Sequence, residues 1–197
     1  MPLGGAMGQL PVFVIPMLLG MALVCGLVLR FQHRLKLRDL LRPRVPAGEW
    51  RRVLIVYSVA IVFLSLLLWW IDRSAMFSLV RQHTGLWVLI MVGYPLLSVF
   101  PQELIYRAYF FERYQPLFGG SYGMVLASAV FFSFGHAVFH NWVAVALTFP
   151  AGLIFGRTYQ RTSSLTVVCV EHGLYGCAAF TIGYGKYFFD HSLHLYR

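Results

Sequence analysis

Three pairs of ionisable residues lie inside otherwise apolar stretches of the chain, where their types and spacing could do chemistry: Glu103 with Arg107, His136 with His140, and Glu171 with His172. An ionisable group inside a membrane costs roughly 2.5 to 3.5 kcal/mol on insertion, so such groups usually face one another or a cavity. The first two pairs have a four-residue spacing, which places both members on one helix face. A carboxylate and two imidazoles that converge can activate water and stabilise an oxyanion, the two needs of amide hydrolysis.

Each pair also has a structural explanation. Glu103 and Arg107 can neutralise one another within a helix, and an intramembrane histidine is often a hydrogen-bonded packing residue. Three separate helices that present such groups together nevertheless favour a functional site. We therefore predict that Glu103, His136 and His172 meet at one enclosed point and act without a metal or another cofactor.

The composition indicates that membrane helices position these residues. Of the 197 residues, 59% are hydrophobic and only 12% are charged, whereas a soluble domain carries about a quarter charged residues. The formal charge of +9 fits anionic lipid head groups better than nucleic acid, because the basic residues cluster beside an apolar run. We expect membrane lipid as a partner, no nucleic acid, and no redox role for the cysteines, which all lie in apolar runs: Cys25, Cys169 and Cys177.

Six apolar runs predict membrane spans, at residues 10–29, 53–71, 86–100, 122–139, 142–155 and 165–182. Gly93, Pro95 and Pro101 interrupt the third run, which predicts a kinked or broken helix with a new helix beginning near Pro101. The expected fold is an all-α, polytopic bundle of about six transmembrane helices.

The long stretch between the first two spans, residues 30–52, is strongly basic. It contains only two acidic residues, Asp39 and Glu49, against eight basic ones: Arg30, Arg34, Lys36, Arg38, Arg42, Arg44, Arg51 and Arg52. By the positive-inside rule this loop is cytoplasmic and both chain ends are outside, in what we expect to be a bacterial cytoplasmic membrane. We expect two N-terminal helices and the basic loop in residues 1–85, and a catalytic helical core with a short tail in residues 86–197.

Three short motifs resemble those of the CPBP family, also called Abi, which contains CAAX prenyl endopeptidases and bacteriocin-processing intramembrane glutamate proteases. Residues 102–107, Gln-Glu-Leu-Ile-Tyr-Arg, resemble the family's Glu-Glu-x-x-x-Arg motif. Residues 132–136, Phe-Ser-Phe-Gly-His, match its Phe-x-x-x-His motif, and His172 stands where a His-x-x-x-Asn or His-x-x-x-Asp motif begins. The resemblance covers about residues 86–183, the family's core of four helices.

The resemblance implies a role for each matched residue. Glu103 corresponds to the second glutamate, Arg107 to the arginine that orients the glutamates, His136 to a histidine that positions and activates water, and His172 to the histidine on the oxyanion side. Phe132 begins the second motif. The implied activity is endopeptidase cleavage near the membrane surface of a lipidated, bacteriocin-like or sorting-signal substrate.

Two positions depart from the family pattern. Gln102 replaces the first glutamate, which the family uses as the base, and Gly176 stands where an Asn or Asp would assist the oxyanion. Because an amide is too weakly basic to deprotonate water, an active site would need Glu103 or Glu171 as its base. The short connection at His140 and Asn141 is the predicted source of a substitute hydrogen-bond donor for the oxyanion.

A zinc protease is an alternative interpretation of the second pair. His136 and His140 have the spacing of a His-Glu-x-x-His site, but Ala137 stands where that site needs a glutamate. Glu103 or His172 would have to complete the metal shell.

Three further alternatives remain. Residues 119–123 fit the Gly-x-Ser-x-Gly pattern of serine hydrolases without a preceding strand, which makes Ser121 more consistent with a helix cap. A proton- or ion-coupled transporter could use the same polar cluster, and a degenerate site could bind a peptide or a lipidated tail without cutting it.

Overall fold

The computed structural model describes residues 10–32, 37–41, 45–118 and 122–188. Residues 119–121 of the serine hydrolase pattern lie outside this part, as do Arg34, Lys36, Arg42 and Arg44 of the basic stretch. The described residues form helices and no strands. The α-helices are α1 (Leu10–Phe31), α2 (Leu37–Leu40), α3 (Ala47–Ile71), α4 (Ser78–Gln82), α5 (Thr84–Tyr94), α6 (Phe100–Glu103), α7 (Phe110–Phe118), α8 (Tyr122–Gly135), α9 (Trp142–Thr162) and α10 (Leu165–Ile182).

Five helical segments are long and apolar enough to cross a membrane: Phe13–Phe31, Ala47–Ile71, Thr84–Phe118, Tyr122–Phe139 and Leu165–Ile182. They confirm the all-α, polytopic bundle. The predicted span at residues 142–155 lies within α9, which has 21 residues but is less apolar than the other five. Because two-residue connections join α9 to the segments on either side, we infer that it returns across the same depth as its neighbours.

The third span is one continuous helical segment that the two prolines reshape without breaking. Proline lacks a backbone N–H and clashes with the carbonyl of the preceding turn. The backbone widens into π-helix at Pro95–Val99 and again at Leu104–Tyr109, with the four-residue α6 between them. The Phe100 N–H donates to the carbonyl five residues back, at Pro95. The chain is therefore helical through Pro101, which excludes the break but not the kink, and α6 begins at Phe100, close to the predicted start of a new helix. The π turns shift the helical register next to Glu103.

Small residues bring α8 and α9 close together. A Cβ atom added to Gly152 of α9 would lie 3.0 Å from the Ala129 Cα, and one added to Gly156 would lie 3.1 Å from the Val125 side chain. The α9 helix begins at the cap Asn141, whose side chain accepts a hydrogen bond from the Val143 N–H at 2.8 Å. This close packing places the middle of α9 directly behind the candidate residues of α8 and α10.

The two N-terminal spans pack on the helices that carry the candidate residues. Leu18 and Ala22 of α1 share a buried cluster with Ile105 and Phe155. At the start of α3, the Arg52 guanidinium donates to the Thr158 hydroxyl of α9 at 2.6 Å.

The first turn of α3 also holds the end of α9 through an ion pair. Glu49 accepts from the Arg161 Nε at 3.0 and 3.1 Å. A hydrogen bond and an ion pair therefore tie the start of α3 to the last turns of α9.

A tight crossing joins the end of α10 to the loop after α3. Gly183 has a φ of 129°, and a Cβ atom there would overlap the Ala75 carbonyl oxygen. Lys186, beyond this glycine, forms an ion pair with Asp72. The glycine and the ion pair together fix where α10 ends.

Candidate active site

Glu103 is the centre of a fully buried polar chain. One carboxylate oxygen, Oε1, accepts from Nδ1 of His172 at 2.7 Å, and the other, Oε2, lies 3.1 Å from Nε of Arg107. Neither Glu103 nor Arg107 has any exposed surface, and His172 is 4% exposed. A buried carboxylate is tolerated when it is paired and hydrogen-bonded, and here Oε1 accepts a hydrogen bond while Oε2 has the ion pair alone.

His172 is held on four sides. Phe155 stacks on its ring with centroids 4.7 Å apart, and Phe132 meets the ring edge-on at 5.4 Å. Because a carboxylate can only accept, the contact with Glu103 places a proton on Nδ1. In the neutral ring, Nε2 is then the basic nitrogen, and it lies 3.0 Å from the Tyr94 hydroxyl. Imidazole orientation and tautomer are thus both set by neighbours.

Arg107 occupies the other end of the chain. Its guanidinium lies over the Phe132 ring, 4.4 Å from the centroid, and its NH2 group donates to the Gly152 carbonyl at 3.3 Å. The ring face and the carbonyl replace part of the hydration that the cation loses on burial. Arg107 therefore fixes the Glu103 carboxylate from behind, as the four-residue spacing predicts.

His136 lies on the same phenyl ring as His172. The ring centroids of His136 and Phe132 are 4.7 Å apart. Nδ1 of His136 donates to the Phe132 carbonyl at 2.8 Å, which leaves Nε2 as an acceptor. Phe132 thus separates the two imidazoles and contacts both. The structure joins Glu103 and His172 directly and brings His136 beside them through one shared ring.

His136 and His140 do not share a helix face. The α8 helix ends at Gly135, residues His136–Phe139 form a 3₁₀ turn, and His140 is exposed with a left-handed φ of 50°. The change of helix type rotates the two imidazoles apart, so the predicted pairing of this zinc alternative is wrong. In the part of the chain that the structure describes, no three His, Cys, Asp or Glu side chains are grouped to hold a metal ion.

Asn141 is the N-cap residue of α9. Its side-chain oxygen caps α9 through the Val143 N–H. An asparagine directly before an apolar helical run is a common cap, and this signal was available in the sequence.

The two remaining candidates, Gln102 and Glu171, point elsewhere. Gln102 donates from Nε2 to the Ser98 hydroxyl at 2.7 Å, within its own helix. Glu171 is fully buried, and its carboxylate lies beside the Thr158 hydroxyl of α9. Successive residues of a helix point about 100° apart, so Glu171 and His172 leave α10 in different directions. Glu171 as a base beside His172 remains a prediction.

Sequence reasoning missed Tyr94. The hydroxyl of this residue is the partner of His172 Nε2, and its ring also packs edge-on against Phe180 at 5.3 Å. Tyr94 lies in an apolar run just before Pro95, so no charge or motif marks it. Only the contact between α5 and α10 reveals its part in the site.

The arrangement is a carboxylate–imidazole pair with a phenol on the basic nitrogen. A carboxylate bound to Nδ1 stabilises the imidazolium that forms when Nε2 takes a proton. Burial strengthens this electrostatic effect because little water screens it. The cluster can accept a proton from water and offer a neutral O–H donor beside the same nitrogen.

A protein-family comparison agrees with these residues. Residues 84–178 match the Rce1-like family, described as type II CAAX prenyl endopeptidase Rce1-like. No curated protein and no solved structure matches the chain significantly. The matched segment contains every residue of the buried chain, and it confirms the resemblance inferred from the three motifs. It supports a peptide hydrolase within an integral membrane protein.

Proposed function

We propose that this chain, which carries an Rce1-like CAAX prenyl endopeptidase segment at residues 84–178, cleaves a peptide bond in a membrane-associated substrate. The observation that carries the proposal is the buried chain Arg107–Glu103–His172 with its contacts of 3.1 and 2.7 Å. A buried carboxylate that orients an imidazole is the arrangement by which hydrolases raise the basicity of a histidine. No other cluster of the described residues combines a base, its orienting acid and a hydrogen-bond donor.

Glu103 acts on water through His172. Both of its oxygens are already engaged, one by the imidazole and one by the guanidinium. Because Glu103 has no exposed surface, direct contact with water would require the buried cluster to open, which is costly. We therefore assign the proton transfer to Nε2 of His172, with Glu103 keeping its negative charge and Arg107 keeping Glu103 in place. This replaces the direct role for Glu103 that the motifs imply.

His136 holds the attacking water. Its Nδ1 is bound to the Phe132 carbonyl, so Nε2 is available to accept a hydrogen bond from a water molecule beside the Phe132 ring, which both imidazoles contact. Such a water would be oriented for attack without another charged group. A substrate peptide would lie next to the same ring.

The substrate class is a protein or peptide tethered to the membrane by a lipid. The family description names a CAAX prenyl endopeptidase, and five of the helical segments are suited to a bilayer. A prenyl chain would stay in the lipid while the adjacent peptide bond reaches the site. The bacteriocin-like and sorting-signal substrates differ by lacking that chain, so the lipid requirement separates the classes. Residues 30–52 would lie on the cytoplasmic side.

The test uses the full chain in liposomes and an internally quenched peptide that ends in a prenylated cysteine followed by three residues. His172→Ala and Glu103→Gln should each lower cleavage by about a thousandfold or more, as expected for loss of a base or its orienting acid. Glu171→Gln is the matched control, since it changes another fully buried carboxylate outside the chain. His136→Ala should lower cleavage and His140→Ala should not.

Several outcomes would contradict the proposal. A Glu103→Gln variant as active as Glu171→Gln would remove the carboxylate from the mechanism. Equal cleavage of the peptide without its prenyl group would overturn the lipidated substrate class. Loss of activity in the presence of a chelator, restored by zinc, would promote the metal alternative.

A further inference from the structure

Tyr94 fills the space beside His172 that residue 176 leaves open. His172 and Gly176 are four residues apart on α10 and share one helix face. A Cβ atom added to Gly176 would overlap the Tyr94 ring and its hydroxyl oxygen. Any side chain at position 176 would therefore displace Tyr94. The glycine and the tyrosine form one packing unit contributed by two helices.

The Tyr94 hydroxyl has a defined direction. Because Nδ1 of His172 donates to Glu103, Nε2 carries the lone pair and the phenol must donate to it across the 3.0 Å contact. The Tyr94 ring is fixed by an edge contact with Phe180 at 5.3 Å. A neutral O–H donor is thus aimed at the atom that takes the proton from water.

We infer that Tyr94 is a catalytic residue whose hydroxyl donates a hydrogen bond to the oxyanion formed during peptide hydrolysis. The inference rests on the proposed function and adds to it a residue outside the three motifs. The family motif has an Asn or Asp donor at position 176, where this chain has a glycine. The Tyr94 hydroxyl would supply the hydrogen bond to the oxyanion in its place. The tyrosine reaches the same side of His172 from α5.

The Tyr94 hydroxyl changes its hydrogen-bond acceptor during the reaction. The water held by His136 gives a proton to Nε2 of His172, while its oxygen forms a bond to the carbonyl carbon of the substrate. The carbonyl π electrons move to oxygen, and the Tyr94 O–H turns from Nε2 to this oxyanion without losing its proton. When the tetrahedral intermediate collapses, the C–N bond breaks and the proton on Nε2 passes to the leaving amine. His172 and Tyr94 then return to their starting contact.

A phenol suits this role in a buried site. It is uncharged, so placing it among apolar rings avoids the cost of burying a second cation. Donors aimed at a developing oxyanion in a water-poor site contribute strongly to catalysis, and removal of one typically lowers kcat by about a hundredfold to a thousandfold.

The test compares four variants with the wild type in liposomes, using the prenylated quenched peptide. Tyr94→Phe keeps the ring that packs against Gly176, so it should fold normally and lower kcat by about a hundredfold at nearly unchanged KM. Tyr184→Phe is the matched control, because its hydroxyl donates to the Leu64 carbonyl far from the cluster. It should leave kcat unchanged.

The remaining two variants exchange the donor between helices. Tyr94→Ala removes both ring and hydroxyl, and adding Gly176→Asn to it places an amide donor in the vacated space. The double variant should regain at least about tenfold in kcat over Tyr94→Ala alone. Circular dichroism and thermal unfolding in detergent would establish that both are folded.

The results separate the inference from the proposed function. A wild type no more active than His172→Ala would overturn the proposed function and the inference with it. An active wild type matched within twofold by Tyr94→Phe would overturn the inference alone. A folded double variant that stays at the level of Tyr94→Ala would also overturn it, because a donor at position 176 would then not replace the phenol.

Discussion

Removing the guanidinium from the buried chain should destabilise the protein far more than removing both charges. Arg107→Met keeps an unbranched stem of similar length but leaves the Glu103 carboxylate in a fully buried place with only His172 beside it. Breaking a buried ion pair by removing one partner typically costs about 3 to 5 kcal/mol in the free energy of unfolding. Loss of the guanidinium over the Phe132 ring at 4.4 Å adds about 0.5 to 2 kcal/mol.

The double variant Glu103→Gln with Arg107→Met isolates the charge effect. A glutamine at position 103 still accepts the Nδ1–H of His172 through its amide oxygen, but it leaves no unpaired charge. We expect the double variant to recover at least about 2 kcal/mol relative to Arg107→Met alone. The unfolding free energies can be measured in detergent micelles by denaturant titration, with the fluorescence of the five tryptophans as the signal.

Two results would refute this reasoning. If Arg107→Met costs less than about 1 kcal/mol, the carboxylate is not held as a buried charge. If the double variant is destabilised by the sum of the two single changes, Glu103 and Arg107 do not interact, despite the 3.1 Å between them.

Three further predictions test other parts of the structure. Glu171→Gln should leave stability unchanged or raise it, because it removes the negative charge of a fully buried carboxylate and keeps its shape, and a loss above about 1 kcal/mol in the same titration would show that the charge has a partner. The hydrogen bond from Lys186 lowers the pKa of Asp72 from 3.8 to about 2, so its contribution to stability is present above 3.8 and is lost as the pH falls toward 2. In the Asp72→Asn variant the thermal midpoint should therefore depend less on pH across that range. The same pH dependence as in the wild type would contradict the pairing of Asp72 with Lys186. Gly183→Ala should destabilise by more than about 1 kcal/mol, because its φ is 129° and the new methyl group would overlap the Ala75 carbonyl oxygen; an unchanged thermal midpoint would contradict this geometry.

Most helix positions could be predicted from apolar runs alone. The predicted last span, 165–182, coincides with α10, and the predicted first span ends two residues before α1 does. These runs are long, and lipid requires their backbone to be helical. The third span was predicted less well because proline patterns do not distinguish a break from a π turn, which depends on how neighbouring helices support the backbone.

The site was predicted in part. The motifs found Glu103, Arg107 and His172, because ionisable residues in apolar runs are rare and have to meet a partner. Tyr94 was missed because its part in the cluster depends on helix rotation and on contacts between residues distant in sequence. Spacing along one helix predicts which residues share a face. It does not predict which neighbouring helix that face contacts.

The two departures from the family pattern have different structural consequences. Gln102 donates to Ser98 on its own helix, so a glutamate could replace it without moving another helix. Gly176 cannot accept a side chain while Tyr94 holds its place. We expect Gly176→Asn alone to lower both the thermal midpoint and kcat, because the new side chain would displace the Tyr94 hydroxyl from Nε2 of His172. An unchanged kcat in a folded Gly176→Asn variant would contradict this packing.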